Sequence, residues 1–113
     1  DRGELIGGFS DDGIVACYLL QARDPIFWPD DPLGAAFYVH KLVVGRTAAG
    51  RGWPRLLLDW ASREASTHGV SYLRLDTLSC EPLPGIYAAL GFKAVGKPKF
   101  VAGRMHLLME RAC

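Results

Sequence analysis

One segment, "YVHKLVVGRTAAGRGWPRLLLDWA" from Tyr38 to Ala61, limits the fold more than any other. Its first part belongs to an apolar run, Ala35–Val44, interrupted only by His40 and Lys41. A strand that is apolar on both faces is expected at the centre of a sheet. A turn of small residues with Gly50 and Gly52 follows. Pro54 to His68 then reads as a helix of about four turns. Leu57, Trp60, Ala61 and Ala65 fall on one face, and Arg55, Asp59, Ser62, Arg63 and Ser66 on the other. Gly69 stands just past the end, a common position for the residue that turns the chain out of a helix.

The flanks supply further strands. Glu4–Phe9 and Ile14–Gln21 read as strands joined by "SDDG" (Ser10–Gly13), whose residues tolerate hairpin backbone angles. Ala22–Gly34 holds three prolines together with Phe27 and Trp28, and reads as an aromatic loop. Ser71–Leu78 is the next strand. Ser79–Gly85 leads into a short helix that carries Tyr87 and ends at Gly91. Phe92–Lys97 and Arg104–Arg111 close the chain as a pair of strands. The order is β-β-β-α-β-α-β-β. Hairpins mixed with βα crossovers predict an α/β (α+β) fold, with a mixed sheet whose parallel pairing lies at its centre.

The chain of 113 residues suits a single domain over residues 1–113. A formal net charge of +1 gives no field that favours nucleic acid or an acidic membrane, so neither is expected as a partner. Cys17, Cys80 and Cys113 are odd in number and widely spaced, which argues against a disulfide framework or a zinc site and fits a reducing, cytoplasmic setting. No apolar run approaches ~20 residues, the length that spans a bilayer. The chain opens at Asp1 without Met, directly before strand-like sequence, and is expected to be N-terminally incomplete.

The glycine turn admits two readings. A helix start offers backbone N–H groups without helical partners, and those donors suit an anion. "AGRGW" also reads as a tight βα connection. It is neither a P-loop, since no Lys–Ser/Thr pair follows, nor GxGxxG.

Three elements taken together are more specific. "YVHKLVVGRTAAGRGWPRLLLDWA", then "LRLDTL", then "IYAALGFKAVG" resemble the GNAT superfamily of N-acetyltransferases in order and spacing, over about Ala35 to Gly96. The resemblance implies a mixed sheet splayed at its middle between Phe37–Val44 and Tyr72–Leu78, with helices flanking it. It implies acetyl-CoA as cosubstrate and no metal. The pantetheine arm would pair with backbone near Leu42, Val43 and Val44 as an added strand. The pyrophosphate would sit on Gly50, Arg51, Gly52, Trp53, Pro54 and Arg55, with Arg51 and Arg55 as charged contacts. Two departures stand out. Ala49 replaces the family's Gln or Arg, and Pro54 replaces its last small residue, removing one N–H. Cys80 and Glu81 stand where the family often has Asn, and Cys80 reads as a loop cysteine rather than a nucleophile.

The resemblance also assigns chemistry: direct transfer of acetyl to an amine of a small molecule or peptide. Tyr87 would protonate the departing thiolate, with a backbone N–H near Leu42 holding the oxyanion. The candidate base is His40, placed by alternation on the same face as Leu42 and Val44, or Asp76 on the neighbouring strand, which could instead bind the substrate amine. Each also has a purely structural reading. His68 reads as a favourable helix-end residue and His106 as a strand residue. Phe27 and Trp28 line the acceptor side or pin their loop by packing. A homodimer stays open, and so does a non-catalytic module of the same fold that binds acyl-CoA.

Overall fold

The computed structural model describes residues 4–10, 13–44 and 53–113, and the side chains of 18–40 and 54–113. The elements are β1 (Glu4–Ser10), β2 (Gly13–Gln21), β3 (Phe37–Val44), α1 (Trp53–Thr67), β4 (Tyr72–Leu78), α2 (Leu83–Ala89), β5 (Lys93–Ala94), β6 (Lys99–Val101) and β7 (Arg104–Ala112). Among the described residues the strands form one sheet in the order β1-β2-β3-β4-β7-β5, with β6 paired to β7. Every pairing is antiparallel except β3 with β4. No helix among the described residues is long and apolar enough to cross a membrane.

The expected order holds with one addition. The segment expected as a strand over Phe92–Lys97 pairs only at Lys93 and Ala94. Gly96 turns the chain at φ 69°, and Pro98 has no N–H to give a ladder. The chain re-enters the sheet as β6. It then folds back into β7 through Ala102 (φ 52°) and Gly103 (φ 79°), the paired positive angles of a tight hairpin.

Helix α1 packs against β1, β2, β3 and β4. Leu57, Leu58, Ala61, Ala65, Leu73, Leu75, Val39 and Phe92 form the main core on that side. The Tyr18 hydroxyl donates to the Leu57 carbonyl at 3.2 Å, tying β2 to the helix. The expected helix face needs correction. Trp60 is 38% exposed, while Leu58 is fully buried and Ser62 is buried with it. At about 100° per residue, Leu57, Ala61, Ala65, Leu58 and Ser62 span one continuous arc, and Trp60 lies outside its edge. Helix α1 also starts one residue early, so Pro54 is its second residue, where an N–H has no helical partner anyway.

Both helices end in the same way. After α1, Gly69 N–H donates to Ser66 O at 3.0 Å and Val70 N–H to Ala65 O at 2.9 Å. After α2, Gly91 N–H donates to Ala88 O at 3.0 Å and Phe92 N–H to Tyr87 O at 3.1 Å. These are Schellman terminations, with glycine at φ 74° and 93°. In α2 the accompanying apolar contact is the Tyr87 ring meeting Phe92 edge-on, 5.9 Å between centroids. His68 Nδ1 lies 2.9 Å from the Glu64 carbonyl, a helix-end role as expected.

The other sheet face is covered by the loop between β2 and β3. Trp28, Ala36, Tyr38 and Leu108 form a second core there. Arg74 on β4 is its hub. Its guanidinium donates to Asp31 at 2.6 Å and Glu110 at 3.0 Å, and lies 4.9 Å from the Trp28 ring centroid. Burial disfavours the charge on Arg74, but Glu110 and Asp31 outweigh burial and hold it above its ordinary value. The Tyr38 hydroxyl donates to the same Asp31 at 2.6 Å, and burial, followed by that bond, pushes its pKa up to about 12. Trp28 therefore pins the loop by packing.

Arg74→Lys keeps the charge but loses the planar fork that serves two carboxylates and a ring. We expect it to lower unfolding free energy by about 1–3 kcal/mol, read from the urea midpoint at unchanged m. An unchanged midpoint would mean the loop does not depend on Arg74.

Candidate functional site

The parallel seam between β3 and β4 is very short. Only Phe37 with Leu73 and Tyr38 with Arg74 are paired. Beyond them the strands diverge, which is the splay expected between Phe37–Val44 and Tyr72–Leu78. A register shift helps explain it. Cys17 pairs with Val43 but Leu19 with His40, so β3 carries one extra residue in between. Such a bulge bends and twists its strand. It also breaks side-chain alternation, so placing His40 on one face with Leu42 and Val44 by simple counting does not carry across it.

Leu42, Val43 and Val44 lie in β3 past the seam. Val43 and Val44 pair with β2, and no β4 partner stands on their other edge among the described residues. Trp53 opens α1. Gly50, Arg51 and Gly52 lie outside the described residues. Pro54 is half-buried in the first turn of α1. Arg55 is exposed, and its guanidinium donates to the Ala89 carbonyl. It thus ties the start of α1 to the end of α2, a role that neither a phosphate contact nor a solvated surface anticipated.

The seam ends at the pair Tyr38–Arg74, and both His40 and Asp76 lie two residues further on. Alternation turns both toward the loop-covered face. They meet at the fork, joined by Asp24 from the loop. One ligand atom from each of Asp24, His40 and Asp76 lies within 4.8 Å of the others. Asp24 Oδ2 is 3.6 Å from His40 Nε2. Asp76 Oδ2 lies 3.1 Å from His106 Nδ1 on β7. In the β4–β7 ladder Asp76 pairs with Leu108, so His106 is its diagonal neighbour on the same face. The His106 ring packs on Phe27, 4.8 Å between centroids, and Lys99 Nζ donates to the Phe27 carbonyl at 2.9 Å.

Burial raises the Asp76 pKa, and the charge of Asp24 adds to the rise, while His106 and His40 oppose it. Its carboxylate is accordingly a better base than an exposed one. Tyr87 packs against the α1-side core, on the opposite side of the sheet. Burial raises its pKa, followed by the charge of Asp76. Tyr87 thus lies on one side of the sheet and the Asp/His cluster on the other, and the charge of Asp76 adds to the rise that burial causes at the phenol.

Sequence reasoning missed Asp24 and His106 as members of this cluster. Asp24 sits in turn chemistry that predicts a cap and names no distant partner. His106 required the β4–β7 register. Cys80 is free and exposed, as a plain loop cysteine would be.

Comparison with known proteins gives a consistent picture. A family model described as an acetyltransferase (GNAT) domain matches residues 11–113. The chain is 26% identical over 101 residues to the uncharacterised N-acetyltransferase YesJ of Bacillus subtilis (strain 168), covering 85% of this chain and 56% of YesJ. Its fold matches a nourseothricin acetyltransferase with a TM-score of 0.75 at 21% identity, over 93% of this chain and 62% of that one. It also matches a GNAT family acetyltransferase from Elizabethkingia anophelis with acetyl-CoA bound, with a TM-score of 0.73 at 17% identity, over 99% and 77% of the two chains. The chain thus spans little more than half the length of YesJ.

The raised Asp76 pKa makes a test of the cluster's cost. Ionisation is harder in the fold than in the unfolded chain, so Asp76 subtracts stability as pH rises through its shifted pKa. Asp76→Asn removes that loss. The variant should gain thermal stability relative to the parent at pH 8 and lose that advantage below pH 4. A melting-temperature difference independent of pH would show that the carboxylate is not strained by burial.

Proposed function

This chain belongs to the GNAT acetyltransferase family, and from that premise we propose that it transfers the acetyl group of acetyl-CoA directly to an amine of a small molecule or peptide. The observation that carries this reading is the fork: a two-pair parallel seam with His40 and Asp76 on one side and Tyr87 on the other. In open sheets with parallel strands, ligands bind beyond the strands' carboxyl ends, where the connections part.

The free edge of β3 at Leu42, Val43 and Val44 suits the amide-bearing arm of acetyl-CoA, which would add as a strand. The stretch from Gly50 to Arg55, leading into α1, would receive the pyrophosphate. An acceptor ammonium approaching from the loop face gives a proton to His40 or Asp76. Its nitrogen lone pair then attacks the thioester carbonyl, and a backbone N–H near Leu42 holds the oxyanion. On collapse the carbon–sulfur bond breaks, Tyr87 protonates the thiolate, and the second proton lost by the attacking nitrogen goes to solvent, which reprotonates Tyr87.

Magnitudes qualify that last step. A phenol near 10 and a thiol near ~8.5 already make the transfer uphill, at about 1.4 kcal/mol per unit. Burial moves Tyr87 further up, so the shift does not match the two groups. It does keep Tyr87 fully protonated across the working pH range, which a donor requires. The base is helped instead, since Asp76 is shifted toward neutrality.

Tyr87→Phe retains the ring that packs on Phe92, so the fold should persist. We expect kcat to fall about 10²-fold, with CoA affinity by calorimetry unchanged. Thiol release from acetyl-CoA across a panel of amines reads the activity. CoA binding without amine-dependent release would favour a binding module, and absence of CoA binding would sink the proposal.

A further inference from the structure

The two oxygens of Asp24 face different tasks. Oδ1 accepts the N–H groups of Ile26 at 3.2 Å and Phe27 at 3.1 Å, which fixes the carboxylate's orientation. Oδ2 is buried without a hydrogen-bond partner and points at His40 Nε2, itself buried and without one. The Asp24 side chain is 3% exposed, so substrate does not reach it. The His40 side chain is 21% exposed although its Nε2 is buried, so the accessible part of the ring is elsewhere. Nδ1 is the only other nitrogen that can take a proton. Asp76 on β4 faces the same space, and His106 on β7 occupies Asp76 Oδ2.

An anionic oxygen aimed at Nε2 repels a lone pair there and attracts an N–H. Neutral His40 therefore carries its hydrogen on Nε2 and its lone pair on Nδ1. We propose that Asp24 is a positioning residue that fixes this tautomer, making Nδ1 of His40 the base for the acceptor amine. The inference rests on the acetyltransferase reading for its kinetic consequence only. In the step itself an ammonium N–H bond breaks and an Nδ1–H bond forms. The resulting imidazolium carries a proton on both nitrogens, and Asp24 offsets its charge. The proton then leaves to solvent, restoring the Nε2–H form. The loop that packs Trp28 on the sheet thereby also sets which nitrogen does the chemistry.

Asp24→Asn tests this sharply, because Oδ1 must still serve the two loop N–H groups. The new amide NH2 then faces Nε2, and a donor there demands a lone pair. The ring should switch to the Nδ1–H form and lose its base while the loop stays capped. Long-range nitrogen–proton NMR at pH 8 on the zinc-free protein reads the tautomer directly. We expect Nε2–H in the parent and Nδ1–H in the variant, similar melting temperatures, and a fall in kcat/KM of at least about 10²-fold. In a His40→Gln background the same change should cost little, since Asp24 acts through the imidazole.

A parent with Nδ1–H, a variant with an unchanged tautomer, or additive kinetic losses would each overturn the proposal. So would micromolar zinc binding that coordinates Nε2, which would make the three side chains a metal site. The NMR does not depend on turnover. A protein with the expected tautomers but no amine-dependent thiol release would overturn the acetyltransferase reading alone.

Discussion

The fork in this sheet depends on two rungs of parallel ladder. Phe37 with Leu73 and Tyr38 with Arg74 join two antiparallel halves of the sheet, β1-β2-β3 and β4-β7-β5. The seam is held from both sides rather than by its own length. Helix α1 packs Leu57, Leu58, Ala61 and Ala65 across it on one face, and Arg74 ties the β2–β3 loop to β4 and β7 on the other. A longer ladder would close the fork, and a weaker clamp would let the halves separate. The bulge in β3 lies past the last rung, between His40 and Val43, where one extra residue bends and twists the strand. Unpaired backbone beyond that point needs a partner from water or from a ligand.

Much of this was legible in the chain, and the reasons are local. Glycine and proline punctuation marks helix ends and hairpins, so the element order follows from nearest neighbours. The "Y-x-x-x-G-F" signature is an instructive case. Tyr87, Gly91 and Phe92 occupy the three positions that a Schellman ending requires, with the two rings forming its apolar clasp. The motif is thus a folding device before it is a chemical one. It seats Tyr87 against the core, as the proposed proton donor would also need. Packing alone asks for the residue to which the resemblance assigns chemistry, so the sequence alone could not apportion the signal between them.

What stayed hidden is tertiary. A periodic pattern reveals a helix's apolar arc, but not its centre, and so periodicity puts Trp60 inside and Ser62 outside. Leu58 decides the matter by extending the arc toward Ser62, away from Trp60. Asp24 and His106 were invisible as site residues because one comes from a proline-rich loop and the other from a distant strand. His106 reaches Asp76 through a register of the β4–β7 pair that no local rule sets. Asp24 reaches His40 only because Trp28, Tyr38 and Arg74 seat the loop.

The fork also couples charge across the sheet. Asp24 and Asp76 crowd negative charge against two imidazoles on one face, and the charge of Asp76 is felt by Tyr87 packed on the other. Where the ladder were continuous, hydrogen-bonded backbone would stand between those groups. Past Tyr38 and Arg74 no rung joins β3 to β4 among the described residues. On the acetyltransferase proposal, a cationic acceptor arriving from the loop side would offset the charge of Asp24 and Asp76, and with it the contribution of Asp76 to the raised pKa of Tyr87, whose larger cause is burial.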